Sequence, residues 1–371
     1  MTMAKEQLNP SGAAPMEKPP KITHGVLGWM RINLFSDWYN TILTILALYL
    51  VFLIIRAVVD WGLISATFGM SPDSCRQGEG ACWGVVGHFW GLFMVGTYPY
   101  ELRWRIGLVL FIIVAMGLAS RHSALRSNRW YWAAWVALVV PVFLLIRGSS
   151  ILGLEVVDST LWGGLLLTMM LSVVGIIVSF PISIVLALGR RSEMPIIKAL
   201  SVGYIELFRG VPLITILFMA SVMLPLFFPP GFSVDKVLRA QIGIIMFYSA
   251  YLAEVVRGGL QAIPKGQEEA AKALGLGYWQ TMILIVMPQA LRVVIPPLVG
   301  TFIQLLKDTS LVSIVSLIDL LGVAHVTTQN PDWLGRVVEA YVFVGFLYWV
   351  ICFSMSRYSV SLEKRFKAGQ Y

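Results

Sequence analysis

Residues 161–188 read LWGGLLLTMMLSVVGIIVSFPISIVLAL, a run without Asp, Glu, Lys or Arg. A helix rises about 1.5 Å per residue and the hydrocarbon core of a bilayer is about 30 Å thick, so about 20 such residues suffice to cross it. The run is predicted to span a membrane, and seven other stretches share its character. The eight candidate spans lie near 41–63, 106–119, 130–148, 161–188, 198–228, 238–259, 290–325 and 337–356. The second is short and borrows from the aromatic approach between Trp83 and Tyr100. The fifth and seventh are too long for one straight crossing and contain prolines, so both are predicted to be broken or strongly tilted. Composition agrees: 57% of the 371 residues are hydrophobic and 13% are charged, against about 25% charged in a soluble domain. A soluble enzyme of this composition would have an exterior starved of charge, and a disordered chain needs the opposite balance; both are excluded. The expected fold class is an all-α integral membrane protein with about eight transmembrane helices.

The formal charge of +8 forms no sustained basic patch, which argues against nucleic acid and for lipid topology. With the N-terminus inside, positive residues gather on the cytoplasmic side, at Lys5, Lys18, Lys21 and Arg31, at Arg121, Arg126 and Arg129, at Arg190, Arg191 and Lys198, at Arg257, Lys265, Lys272 and Arg292, and at Arg357, Lys364, Arg365 and Lys367. Both termini are predicted to be cytoplasmic. Residues 1–40 read as a flexible tail, polar and proline-rich at Pro10, Pro15, Pro19 and Pro20, with no secretory h-region. Residues 41–150 hold three spans and an extracytoplasmic loop whose Trp83, Trp90, Tyr98, Tyr100 and Trp104 suit a membrane interface. A polar, Gly-containing break at Arg147 to Ser159 separates them from the main domain, 151–357, and 358–371 form a C-terminal tail. Cys75 and Cys82 fall outside, where a disulfide can persist. The sequence leaves a small disulfide loop and two unpaired thiols equally open.

Residues 260–289 form an apolar-poor cytoplasmic insertion with helix signals of its own. Pro264 suits a first turn, Gln267, Glu268 and Glu269 make that turn acidic, and Gly275 and Gly277 stop the helix, which is placed at about 264–276. Glu269-Ala270-Ala271, three residues, Gly275, nine residues, Ile285, one residue, Met287 and Pro288 resemble the EAA signature of bacterial ABC-importer membrane subunits, E-A-A-x3-G-x9-I-x-L-P. The single departure is Met287 for Leu, a volume-conserving change. The text around Tyr204 to Leu213, Ile263 to Gln267 and Leu305 to Leu311 is similar to the polar amino-acid uptake branch. The long N-terminus is similar to permeases of the general L-amino-acid type.

The resemblance implies a five-helix type I importer core (MetI-like) plus three N-terminal helices, in the bacterial inner membrane. It also implies a periplasmic amino-acid-binding protein, a second permease subunit that is a paralogue, a cytosolic ABC ATPase dimer that uses ATP and Mg, and a polar L-amino acid as substrate. Glu269, Ala270, Ala271, Gly275 and Pro288 become the coupling residues toward the ATPase. The chain has no G-x-x-x-x-G-K-[ST] phosphate loop, and no cofactor is expected in it. His24, His88, His122 and His325 stand apart, so no metal site is expected.

Ionisable residues at bilayer depth cost about 2.5–3.5 kcal/mol each on insertion scales, so they face a pathway or a partner helix. Glu206 and Arg209 share a helix face, read either as an internal ion pair or as a contact to substrate or gate. Glu254 and Arg257 repeat that spacing as a gate element or structural pair. Lys307, Asp308, Thr309 and Ser310 follow Pro296, Pro297 and Gly300. They read either as a pathway site able to meet the carboxylate and ammonium of an amino acid, or as a helix break with a self-neutralised Lys–Asp pair. The competing class is an ion-coupled secondary amino-acid carrier, which requires inverted repeats that the chain does not display.

Overall fold

A computed structural model describes residues 25–76, 78–119, 122, 128–229 and 234–368; the tail prolines and the charges at Lys5, Lys18, Lys21, Arg121 and Arg126 lie outside them. Among the described residues the regular structure is helical, with only isolated β-bridges. That is the response expected of a chain in hydrocarbon, where backbone N–H and C=O groups find no water and must pair within their own segment.

Two units are distinct. The first holds α1, Trp38–Val59, extended by a π-helical turn to Ile64, and none of the α1 residues is buried. A helix apolar on every side suits lipid contact. The second contains most of the remaining helices, among them α2 Arg103–Ala119, α3 Val139–Arg147, α4 Gly164–Arg191, α5 Pro195–Gly210, α6 Leu213–Phe218, α7 Lys236–Ala262, α8 Lys265–Ala273, α9 Ile295–Asp308, α10 Leu320–Thr328 and α11 Val337–Ala368. Among the described residues five helices are long and apolar enough to cross a membrane, or six when the bent pair Pro195–Gly210 and Leu213–Phe227 is counted as one span.

The centre is α4 against α7. Thr168, Ser172, Gly175, Ser179, Ser183 and Ala187 recur every three or four residues on the buried face of α4, a stripe of small side chains that lets helices approach closely. Gly175 lies against Leu305 and the Gln241 amide, and Gln241 donates to the Leu171 carbonyl at 3.4 Å. Asp235 caps α7 by accepting the Leu238 N–H at 2.9 Å, and Ser159 donates its hydroxyl to the same carboxylate. α7 carries charges at both ends, yet its middle is buried from Ala240 to Ala253 on one face.

Both long stretches that the sequence marks as broken are broken. α5 meets the segment from Leu213 to Phe227 at 102°. Pro212 accounts for the position: its ring forces Val211 out of the helical region to φ −112°, ψ 134°. Residues 198–228 are therefore one helix, with Ile205 buried and Leu200 and Leu207 exposed, followed by a separate segment at a sharp angle. Residues 290–325 are interrupted twice, at Val294 and between Asp308 and Leu320. The second interruption is a 3-10 segment, Thr309–Val315, ending on Ser316 with φ 59°. Its polar groups are met inside the protein: Thr168 Oγ1 accepts the Leu320 N–H at 3.1 Å, and Asp319 accepts those of Leu321 and Gly322 at 3.1 and 3.0 Å. Residues 129–147 form two short helices rather than one continuous span.

Gly259 supplies a test of this packing. A Cβ there would lie 2.7 Å from Val294 Cγ1 and 2.8 Å from the Ala290 carbonyl oxygen, whereas one on Gly258 would meet nothing within 4 Å. Gly259→Leu should destabilise the detergent-solubilised protein by about 1–3 kcal/mol, read as a lowered thermal midpoint. Gly258→Ala should leave the midpoint level or raise it.

Candidate functional site

α8 begins after Pro264, which stands at the N-cap in extended conformation rather than within the first turn. Its end is a Schellman motif: the Leu276 N–H donates to the Ala271 carbonyl at 3.1 Å and the Gly275 N–H to that of Lys272 at 2.9 Å. Gly275 has φ 79°, a left-handed conformation that other residues resist. The spacing of Gly275 from Glu269 is thus the second half of the helix plus its stop.

The helix has two unlike faces. Ala271 is 1% exposed and packs into its own chain. On the same side Glu268 accepts from Arg191 Nη2 at 2.9 Å, and Gln267 accepts from Gln289 Nε2 at 3.1 Å. Glu269 and Ala270 face out, joined by Leu274 at 80% exposure. The sequence set Glu269, Ala270 and Ala271 together; the structure divides them, because successive helical residues diverge by about 100°. Leu274, which the sequence groups with Ala270, Ala271, Ala273 and Leu276 on one apolar side, is on the exposed side; Tyr278 and Trp279 extend that side and were not singled out by sequence, since apolar residues in a membrane protein attract no notice. Pro288 is exposed and lies on the returning helix, just after the π-helical turn Met282–Val286. A proline lacks the N–H that a regular turn needs there.

At the same end of the bundle, Glu254 gathers three arginines from three helices. Its Oε1 accepts from Arg190 Nη1 of α4 at 2.9 Å, its Oε2 from Arg257 Nη2 of α7 at 2.7 Å, and Arg209 Nη1 of α5 stands 3.8 Å away. Arg190 Nη1 also donates to Glu206 Oε1 at 2.9 Å. The within-helix pairing of Glu206 with Arg209 is therefore exchanged for contacts between helices. The physical reason is burial: the Glu254 side chain is 15% exposed and the Glu206 side chain 55%, so the cations are drawn to the less hydrated carboxylate. Arg209 also lies over the Tyr251 ring at 5.7 Å.

Lys307, Asp308, Thr309 and Ser310 straddle the break after α9. Lys307 is exposed while Thr309 is buried and donates to the Leu306 carbonyl at 2.7 Å. Asp308 accepts from the Tyr248 hydroxyl of α7. Adjacent helical residues do not face each other, so Lys307 and Asp308 do not neutralise one another. Tyr248 was missed because 60 residues separate it from Asp308. Among the described residues no group of three His, Cys, Asp or Glu is placed to hold a metal ion.

Comparison with known proteins decides the class. The family described as the binding-protein-dependent transport system inner membrane component matches residues 179–368. The chain belongs to this family. It is similar at 49% identity to the inner membrane amino-acid ABC transporter permease protein YhdY of Escherichia coli (strain K12), over 92% of this chain and 93% of that one. It is 38% identical to the glutamate/glutamine/aspartate/asparagine transport system permease protein BztC of Rhodobacter capsulatus, over 92% and 94%. A solved structure described as a crystal structure of an amino acid ABC transporter with histidines aligns with 54% of this chain and 92% of that chain at 29% identity, with a TM-score of 0.49. The protein is thus a multi-pass transport subunit, a non-catalytic permease, and ATP hydrolysis belongs to a separate subunit. The ion-coupled carrier is set aside.

In this transport subunit Cys75 and Cys82 are joined as a disulfide with Cα atoms 5.5 Å apart. The Cys82 N–H donates to Glu339 Oε1 at 2.9 Å and Arg336 donates to the Cys75 carbonyl, tying both cysteines to the start of α11.

The charge cluster yields a graded expectation. Partly exposed ion pairs contribute about 0–1 kcal/mol each, and Glu254 meets three guanidiniums where Glu206 meets one. Glu254→Ala should therefore lower the thermal midpoint in detergent more than Glu206→Ala.

Proposed function

We propose that this permease subunit imports polar L-amino acids, with α8 as the coupling helix that docks on a cytosolic ATPase dimer. The observation that carries the coupling is the two-sided α8: one face is anchored by Ala271, Glu268 and Gln267, while Glu269, Ala270 and Leu274 stand free beside a left-handed Gly275. A short ridge fixed from behind, with the small Ala270 between Glu269 and Leu274, suits a groove on another protein. The substrate class is supported by YhdY and BztC, whose names specify amino acids.

The assembly in this reading comprises the ATPase dimer with its ATP and Mg, a paralogous second permease subunit and a periplasmic amino-acid-binding protein. Both termini and α8 lie in the cytoplasm of the bacterial cell, and the loop of Cys75 and Cys82 lies outside. Residues 151–357 form the permease domain, and the three spans of 41–150 are an addition to it. The pathway runs past the break at Asp308 to Ser310, where Asp308 and Tyr248 offer a hydrogen-bonded acid to the substrate ammonium. The Glu254 cluster with Glu206, Arg209 and Arg257 closes the cytoplasmic end.

Affinity purification of the tagged chain from its host membranes tests the assembly: an ATPase and a second membrane subunit should co-elute, and their absence would contradict the reading. Gly275→Val, which forces a branched side chain into the left-handed region at a cost of about 1–2 kcal/mol, should loosen the ATPase while leaving the membrane part intact. Asp308→Ala should keep the assembly yet lower uptake of labelled polar amino acids by about tenfold or more, as expected for a lost charge-assisted bond. Unchanged uptake would remove Asp308 from the pathway.

A further inference from the structure

α8 is joined to the chain at both ends by non-helical turns, an extended Pro264 on one side and a left-handed Gly275 on the other. Turns of this kind bend rather than push, so a displacement of α8 reaches the bundle chiefly through its side chains. It is linked ionically through Glu268 to Arg191 Nη2 at 2.9 Å, at the last residue of α4. The preceding residue, Arg190, is itself held by Glu254 of α7 and Glu206 of α5, each at 2.9 Å. Two consecutive arginines at one helix end therefore connect α8 to three helices of the bundle. Neither guanidinium is free in solvent, at 25% and 32% exposure, and the planar fork of arginine fixes direction as well as charge.

We propose that Arg190 and Arg191 are positioning residues forming an ionic relay: Arg191 carries the displacement of α8 to the end of α4, and Arg190 passes it to α5 and α7 through Glu206 and Glu254. This rests on the reading of α8 as the ATPase-docking helix. Glu268 faces the protein's own chain beside Ala271, away from the exposed ridge, so the relay and the docking surface use different residues of one helix. A half-exposed ion pair adds little to folding stability; the pair is dispensable to the fold, and its effect belongs to coupling.

The test uses the complete transporter, this chain with its ATPase, second membrane subunit and binding protein, in proteoliposomes. Substrate accumulated per ATP hydrolysed is compared for wild type, Arg191→Glu, Glu268→Arg and the double reversal. Each single reversal should keep the ATPase bound and lower that ratio by about fivefold or more, the range of typical coupling between sites. The double reversal should restore it to within about twofold of wild type, and Arg191→Lys should fall between wild type and Arg191→Glu. A ratio unchanged in the single reversals, a double no better than either single, or loss of either single variant from the membrane would overturn the relay. Wild-type chain that binds no ATPase would overturn the docking reading first and the relay with it, whereas bound ATPase with an insensitive ratio rejects the relay alone.

Discussion

The absence of water around the backbone is the constraint from which the rest of this structure follows. Each span closes its own hydrogen bonds as a helix, and the most interrupted of them is completed by groups inside the protein. The break after α9 illustrates this. Thr309 turns back on the Leu306 carbonyl, Thr168 of α4 takes the Leu320 N–H, and Asp319 takes the next two. The small-residue face of α4 brings the interrupted segment close enough for Thr168 to serve it. Close packing of α4 with α7 and satisfaction of the broken span are thus one arrangement.

Charge is distributed by the same constraint. Glu254 is less exposed than Glu206 and collects arginines from α4, α5 and α7, so the bundle end beside α8 is held by an electrostatic knot as well as by apolar packing. The apolar part there includes Ile205, Leu252, Val256, Met282 and Val286. Because ion pairs have discrete alternatives and apolar cores resist gradual deformation, such an end suits a component that must exist in two arrangements.

Much of this could be read from the residues. The length of residues 161–188, the breaks announced by Pro212 and by the run after Pro297, and the stop at Gly275 are local properties, set by rise per residue, ring sterics and left-handed φ. What escaped the sequence is what depends on neighbours distant in the chain. Glu206 and Arg209 lie within reach of each other on one helix, but their choice of Arg190 and Glu254 is settled by relative burial. Tyr248 opposite Asp308 is likewise a product of packing. Ala271 and Ala270 are indistinguishable in a motif, and only the position of α8 against the bundle turns one inward. Arg190 and Arg191 read from sequence as topology-setting charges, which conceals their individual partners.

The central claim is that α8 presents one fixed face to its own chain and the opposite face to a moving partner. Site-directed cysteine crosslinking in the assembled transporter addresses it most directly, with single cysteines placed at Ala270, Ala271 and Leu274 and a short bifunctional reagent. The account predicts adducts to the ATPase from positions 270 and 274 and none from position 271. Adducts from position 271 as abundant as those from 270, or none from either exposed position, would contradict it.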